Sequence, residues 1–249
     1  MFGSTPPPRI RTQDEAEKPF WISYSDLMTA LMVLFLVAMA VALLSVTQGM
    51  RQMDDARLSR QNAIQTCLAS VGQLIQRPEF KGVQLRGATL DLGPLAEFGK
   101  DSDALPPQRA AFLRSFVPPM LEVARTPECK AWLKRFVLEG YASPEGSYLY
   151  NLQLSLARSQ RVLCVLLDAK APDALLLDDR KTIRELFLVG GSSFNSAILN
   201  QPEKSRRVEL RLEFLEQTPN CTGPTATCTA SLAAAIPWDE DSTCPLLQR

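Results

Sequence analysis

Histidine is absent from the 249-residue chain, and with it go the imidazole of a Ser or Cys triad, the usual general base near neutral pH and the commonest metal ligand. Carboxylates remain as the main proton-handling groups. The six cysteines form no C-x-x-C pair, so neither a zinc knuckle nor a thioredoxin-like dithiol is indicated, and no metal or cofactor is expected. Also missing are G-x-x-x-x-G-K-[ST], G-x-S-x-G and H-E-x-x-H, which would mark a phosphate cradle, a nucleophile elbow or a zinc-bound water. An excess of charge is lacking too. The 27 basic and 27 acidic side chains are mixed along most of the chain, without the basic stripe that phosphate neutralisation requires. An enzyme is the weakest reading, and no nucleic-acid partner is expected.

What is present begins with an apolar run. Leu27 to Val46 reads LMTALMVLFLVAMAVALLSV without a charge, about the 20 residues that a helix needs to span hydrocarbon. A cleaved signal peptide is the alternative, since Ala38-Met39-Ala40 has the small-x-small form. Against it, the run continues beyond that site and a long polar leader precedes it. Arg9, Arg11 and Lys18 lie before the run and Arg51, Arg57 and Arg60 after it, so the positive-inside rule does not choose an orientation.

Asp26 stands at the head of this span, close to Trp21 and Tyr24, which suit a membrane interface. Two readings of it are open. A charge at a helix centre costs about 2.5 to 3.5 kcal/mol on insertion scales, less near the interface, so such acids face a partner helix or an ion path. Alternatively, Ser25 or Asp26 caps the first helical turn. Thr29, Ala30, Val33 and Val37 share the broad face of Asp26 and are smaller than the opposing Leu and Met side chains, which leaves room for a close partner helix.

Behind the span, Gln48 to Gln76 is polar and amphipathic, with Ile64, Cys67, Val71 and Leu74 spaced by threes and fours. Two heptads make a marginal coiled coil, so pairing with a second chain and packing on the chain's own domain both stand. Further on, alternation and helical periodicity predict strand 83–92, helix 107–124, strand 136–141, helix 148–167, helix 178–185, strand 186–189 and strand 207–213. Together they make an α+β domain, a mixed sheet with helices on one face. The expected segments are a leader 1–18, a transmembrane helix 19–47, a linker helix 48–77, the α+β domain 78–216 and a Pro- and Thr-containing extension 217–249. Cys164 lies in an apolar helical pattern like a core residue. Cys221 and Cys228 are expected to close a small loop in the extension, and Cys67, if paired, to bridge two chains across the seam.

Pro19, Trp21, Asp26, Thr29 and Leu31, followed by the apolar span, resemble the transmembrane signature of MotB-type stator subunits. Within that superfamily PFWISYSDLMTALMVLFLVAMA, LFLVGGSSFNSA and SRRVELRLEF look closest to the ZorB family of Zorya anti-phage defence systems. The resemblance implies that Asp26 carries the ion, supported along the pore by Tyr24, Thr29 and Ala30. It also implies a homodimer held within a pentamer of a ZorA-like membrane subunit, with proton flow driving rotation. The cytoplasm would then hold the N-terminus and the periplasm the C-terminal domain, across the bacterial inner membrane. A flagellar MotB-type stator and a passive cell-wall anchor are the alternatives.

The segment EGYASPEGSYLYNLQLSLARSQRVLCVLL resembles the OmpA-like peptidoglycan-binding domain, with Gly140, Gly146, Asn151, Leu154, Ser155 and Arg158 in register. As the family implies, the planar fork of Arg158 would hold the diaminopimelate carboxylate of a peptidoglycan stem peptide. The implied site comprises Ser143, Glu145, Tyr150, Asn151, Leu154, Arg158, Arg206 and Arg207. Ser143 occupies the position where many members have an Asp that receives the ligand's ammonium, and Glu145 is the next acid. Ser205 replaces the common Asn of NRRVE. Asn151 as a helix-start hydrogen bonder, Arg158 as a structural residue, and Arg206 or Arg207 as solvated strand charges remain open.

Overall fold

A computed structural model describes residues 14–198, 200–216 and 244. The chain divides into two compact units at Leu58/Ser59. The first is dominated by helix α1, Asp14–Ile75, whose 62 residues amount to roughly 90 Å at the α-helical rise. Residues 24–50 of α1 are exposed along their whole length, and the helix is long and apolar enough to cross a membrane, with an 18-residue window of mean hydropathy 2.8. Its last turns belong to the second unit. There Cys67, Val71 and Leu74 are buried, so the seam read from the sequence packs on the chain's own domain.

The second unit is built on a five-stranded sheet in the order β1-β2-β5-β3-β4. Its elements are β1 Gln84–Arg86, β2 Thr89–Asp91, α2 Pro107–Arg125, α3 Pro127–Trp132, β3 Leu133–Gly140, α4 Tyr148–Leu167, α5 Leu177–Leu186, β4 Phe187–Gly191, α6 Pro202–Ser205 and β5 Val208–Phe214. Strands β3 and β4 run parallel across the α4–α5 crossover, and the other pairs are antiparallel. The single strand expected over 83–92 is a hairpin. Gly87 sits at its turn with φ 62°, a left-handed conformation that glycine adopts without a Cβ clash.

Alternation sorts the two faces of the sheet. Leu90, Phe136, Leu138, Leu210 and Leu212 point inward, where Leu113, Phe116 and Met120 of α2, Val162 and Leu166 of α4 and Ile183 of α5 complete the core. Each such side chain contributes about 1.5 to 3 kcal/mol when fully buried. The opposite face carries ion pairs, Arg135–Glu213 at 2.6 Å, Arg86–Asp91 at 3.0 Å and Arg211–Glu139 at 3.6 Å, as a sheet with helices on one face demands.

Helix α4 lies closer to the sheet than side chains normally permit. A Cβ on Gly140 would come within 1.9 Å of the Ser155 carbonyl oxygen, and one on Gly191 within 2.7 Å of the Leu156 nitrogen. Two serines complete the seam: the Ser159 hydroxyl donates to the Gly190 carbonyl at 2.8 Å, and the Ser193 N–H donates to Ser155 Oγ at 3.0 Å.

Both described disulfides lie within the chain. Cys67 bonds to Cys129, with Cα atoms 5.0 Å apart, and Cys164 to Cys244, at 5.5 Å. They correct one expectation: Cys67 does not bridge chains, because burial of the helix end brings it against α3. Cys164, read as a core-like position, is half-buried and joined to the C-terminal segment. Cys221 and Cys228 lie outside the described residues.

Candidate functional site

In the first unit the feature of interest is Asp26. Helix α1 begins at Asp14, so Asp26 lies about three turns inside it and cannot act as its N-cap. Its carboxyl is exposed, at the head of the uncharged stretch. Tyr24 and Ala30 are likewise exposed on α1. The Thr29 hydroxyl donates back to the carbonyls of Ser25 at 3.0 Å and Asp26 at 2.9 Å. This keeps the side chain against its own helix and its oxygen beside the turn that carries the acid.

In the second unit the implied residues converge on the start of α4. Ser147 caps that helix, its hydroxyl accepting from the Tyr150 N–H at 3.3 Å. Gly146, at φ 95°, makes the turn into it. The Asn151 side chain is only 2% exposed, and its amide donates to the carbonyls of Glu145 at 2.7 Å and Ser147 at 3.2 Å. It therefore shapes the 143–147 loop instead of facing a ligand. Leu154 is half-buried on the next turn of α4.

Arg158 departs furthest from expectation. It is fully buried, and Nε, Nη1 and Nη2 donate to the carbonyls of Ser102 at 3.0 Å, Tyr141 at 2.9 Å and Gly99 at 2.9 Å. The Phe98 ring lies 5.5 Å from its guanidinium carbon. Burial first, and the Arg206 charge next, lower its pKa to about 10, so it stays protonated at neutral pH. The expected fork toward a ligand carboxylate is thus occupied by backbone. The residue ties the 98–103 loop to the end of β3, because three carbonyls at the rim of the sheet would otherwise lack donors.

Glu145 and Ser143 behave as a unit. Ser143 is buried and Glu145 exposed. The Ser143 hydroxyl, first among several causes, holds the Glu145 carboxyl below the usual carboxylate range, with Arg206 and Lys100 adding their field. This ionised acid is open to a cationic ligand group. Tyr150 is 45% exposed, and its hydroxyl lies 3.3 Å from the Asp101 carboxylate. Arg206 is half-buried, its Nε donating to the Phe98 carbonyl at 3.2 Å.

Arg207 is not a solvated charge. It is buried, donates to Glu209 at 2.7 Å and to the Lys204 carbonyl at 3.2 Å, and stacks 4.5 Å from the Tyr141 ring centre. The structure therefore brings together Ser143, Glu145, Tyr150, Asn151, Arg158 and Arg206, and sets Arg207 on the charged face of the sheet. Sequence reasoning missed the 98–103 loop, whose Lys100 and Asp101 join the cluster. Asp101 has φ 51°, and the turn-forming Gly99-Lys100-Asp101-Ser102 was the available signal.

Comparison with known proteins gives four likenesses of interest. A family model described as membrane MotB of the proton-channel complex MotA/MotB matches residues 9–53. The Zorya protein ZorB of Escherichia coli O139:H28 (strain E24377A / ETEC) is 40% identical over 224 residues, covering 86% of this chain and 88% of that protein. Among solved structures, a putative MotB-like protein from Desulfovibrio vulgaris is 17% identical with TM-score 0.39, covering 63% of this chain and 99% of that one. The OmpA-like domain of FopA1 from Francisella tularensis is 17% identical with TM-score 0.35, covering 54% and 82%.

Proposed function

This chain belongs to the ZorB family of Zorya proteins, and on that premise we propose that it is the peptidoglycan-anchoring subunit of a proton-driven membrane motor in anti-phage defence. The observation that carries the reading is Asp26, about three turns inside α1 and the one charged residue between Lys18 and Arg51. A wall anchor needs the apolar helix but has no use for that acid. In the proposed mechanism a dimer of this chain sits within a pentamer of a ZorA-like membrane subunit. The Asp26 carboxyl takes up and releases a proton along a path lined by Tyr24, Thr29 and Ala30. A charge crossing 100 mV releases about 2.3 kcal/mol, enough to bias a two-state change in the partner.

The orientation follows from the same proposal, with segment 1–18 in the cytoplasm, 19–47 across the inner membrane, linker 48–77, wall-binding domain 78–216 and extension 217–249 in the periplasm. Glu145 receives an ammonium group of the stem peptide. Arg206 and Tyr150 face its remaining polar groups. Asn151, Leu154 and Arg158 hold the loops that shape the site, and Ser143 orients Glu145. Arg207, first read as a ligand contact, is assigned to the sheet face.

The test is Asp26→Asn, an exchange close in shape that cannot carry a proton. Phage protection is expected to be abolished while the partner subunit co-purifies in normal amount. Full protection by the Asn variant would remove the ion-carrier role and leave a passive anchor.

A further inference from the structure

The first turn of α4 throws its two tyrosines in opposite directions, since residues two apart lie roughly 200° apart around a helix. Tyr150 is tied to Asp101 on a flank that also holds Lys100, Glu145 and Arg206. Tyr148 goes the other way. It remains 44% exposed and packs edge to face on Phe194, with ring centres 5.6 Å apart. Its hydroxyl lies 3.5 Å from the Asn195 amide nitrogen. The segment from Phe187 to Pro202 carries no acidic or basic residue of its own, and the charges that meet it, Glu139 at the Ser192 hydroxyl and Arg207 at the Ser196 carbonyl, come from the neighbouring strand ends.

The ledge is held in place by the fold. Ser193 is buried and adopts φ 52°, a conformation that costs a non-glycine residue free energy and persists only where the surroundings impose it. Its N–H donates to Ser155 Oγ at 3.0 Å and its hydroxyl to the Tyr148 carbonyl at 3.0 Å. The consequence is that Phe194 and Asn195 are set against Tyr148 by the same serine seam that docks α4.

We propose that Tyr148, Phe194 and Asn195 form a saccharide subsite, taking a neutral amino-sugar ring of the glycan strand beside the stem-peptide site. The inference rests on the cell-wall reading. A flat aromatic ring meets the C–H face of a pyranose, and a primary amide and a phenol supply a donor and acceptors for ring hydroxyls and an N-acetyl group. The two flanks match the two halves of the polymer: charged side chains face the zwitterionic peptide, and an aromatic ledge whose own residues carry no charge faces the neutral sugar.

The experiment titrates the full chain in detergent with two soluble probes, a disaccharide-tetrapeptide muropeptide and the matching sugar-free tetrapeptide. The wild type is expected to bind the muropeptide about three- to tenfold more tightly than the peptide, as one aromatic contact allows. Tyr148→Ala and Asn195→Ala are each expected to reduce that advantage while leaving the affinity for the free peptide unchanged, and Tyr148→Phe to keep most of it. Equal wild-type affinity for both probes overturns the subsite, as does an equal loss for both probes in Tyr148→Ala and Asn195→Ala. Failure of the wild type to bind either probe removes the cell-wall reading and the subsite with it.

Discussion

Replacing Arg158 distinguishes a structural arginine from a ligand-binding one. Its guanidinium donates to three carbonyls, at Gly99, Ser102 and Tyr141, from a fully buried position. A hydrogen bond from a charged group contributes about 1.5 to 3 kcal/mol, and a buried acceptor left unpaired costs about 1 to 3 kcal/mol. These quantities overlap and do not add, since water can reach some of the freed carbonyls through the exposed 99–101 turn. A net loss of about 3 to 5 kcal/mol is expected for Arg158→Met, which keeps most of the volume. For a domain of this size that corresponds to a fall in Tm of roughly 10 °C. Scanning calorimetry of the full chain in detergent reads it directly. Arg158→Lys should recover little, because one ammonium cannot serve three carbonyls set around a planar fork. A variant that loses less than about 1 kcal/mol of stability yet drops from peptidoglycan sacculi would refute the structural role. It would restore the carboxylate contact that the sequence motif implies.

Other consequences are equally direct. Gly140→Ala places a methyl group where the Ser155 carbonyl oxygen lies 1.9 Å away, so α4 must lift from the sheet at a cost of about 3 kcal/mol, measurable by urea unfolding. Glu145→Gln should weaken sedimentation with sacculi about tenfold without moving Tm, since the side chain is exposed and its charge is the feature that matters; unchanged sedimentation would move the ammonium contact elsewhere. The Arg135 hydrogen bond, first, holds Glu213 below the usual carboxylate range, and Arg114 does the same for Asp173. Depressed folded-state values mean that this stability is present above about pH 4.5 and is lost as the pH falls through and below the carboxylate range. Arg135→Gln should flatten the acid limb of a Tm-against-pH curve. Loss of the Cys67–Cys129 bond opens a loop with a sequence separation of 62, and Cys129→Ser should cost about 4 kcal/mol on the chain-entropy model, read by unfolding with and without reductant.

The long elements were legible because their patterns are long. Helix α4 matches its expected bounds, 148–167, and α2 differs by one residue, since amphipathic periods over five turns outweigh local ambiguity. The hairpin was read as one strand because its turn is only the two residues Gly87-Ala88 inside an apolar alternation. The six residues of α3 and the four of α6 are too short to show a period. At the site, register placed Asn151 and Arg158 correctly on α4, but register carries no information about what a side chain finds there. The carbonyls that claim Arg158 come from one loop, 56 and 59 residues away, and from the end of β3. The pairing of Cys67 with Cys129 was hidden for a related reason. It requires the end of α1 to bury Val71 and Leu74 in the domain core, one of two packings that the heptad spacing allowed.

That pairing bears on how the proposed stator resists load. Along the backbone, Cys67 and the Glu145 loop are separated by 145 − 67 = 78 residues, most of them in the β1–β2 hairpin, α2 and their connections. Through the disulfide the covalent route runs from Cys129 to Glu145, 145 − 129 = 16 residues, half of them strand β3, which is paired on both sides in the sheet. A pull on the last turns of α1 would otherwise be borne by Val71, Leu74 and a hydrogen bond from Arg60 to the Leu215 carbonyl at 2.9 Å. Such non-covalent contacts yield at far lower force than a covalent bond. At the far end of β3, Arg158 ties Tyr141 to the 99–102 turn, so the strand that receives the load is clamped where it meets the 143–147 loop. In the motor reading this makes β3 the torque-bearing element. Reduction of Cys67–Cys129 should then impair defence more than it impairs wall binding.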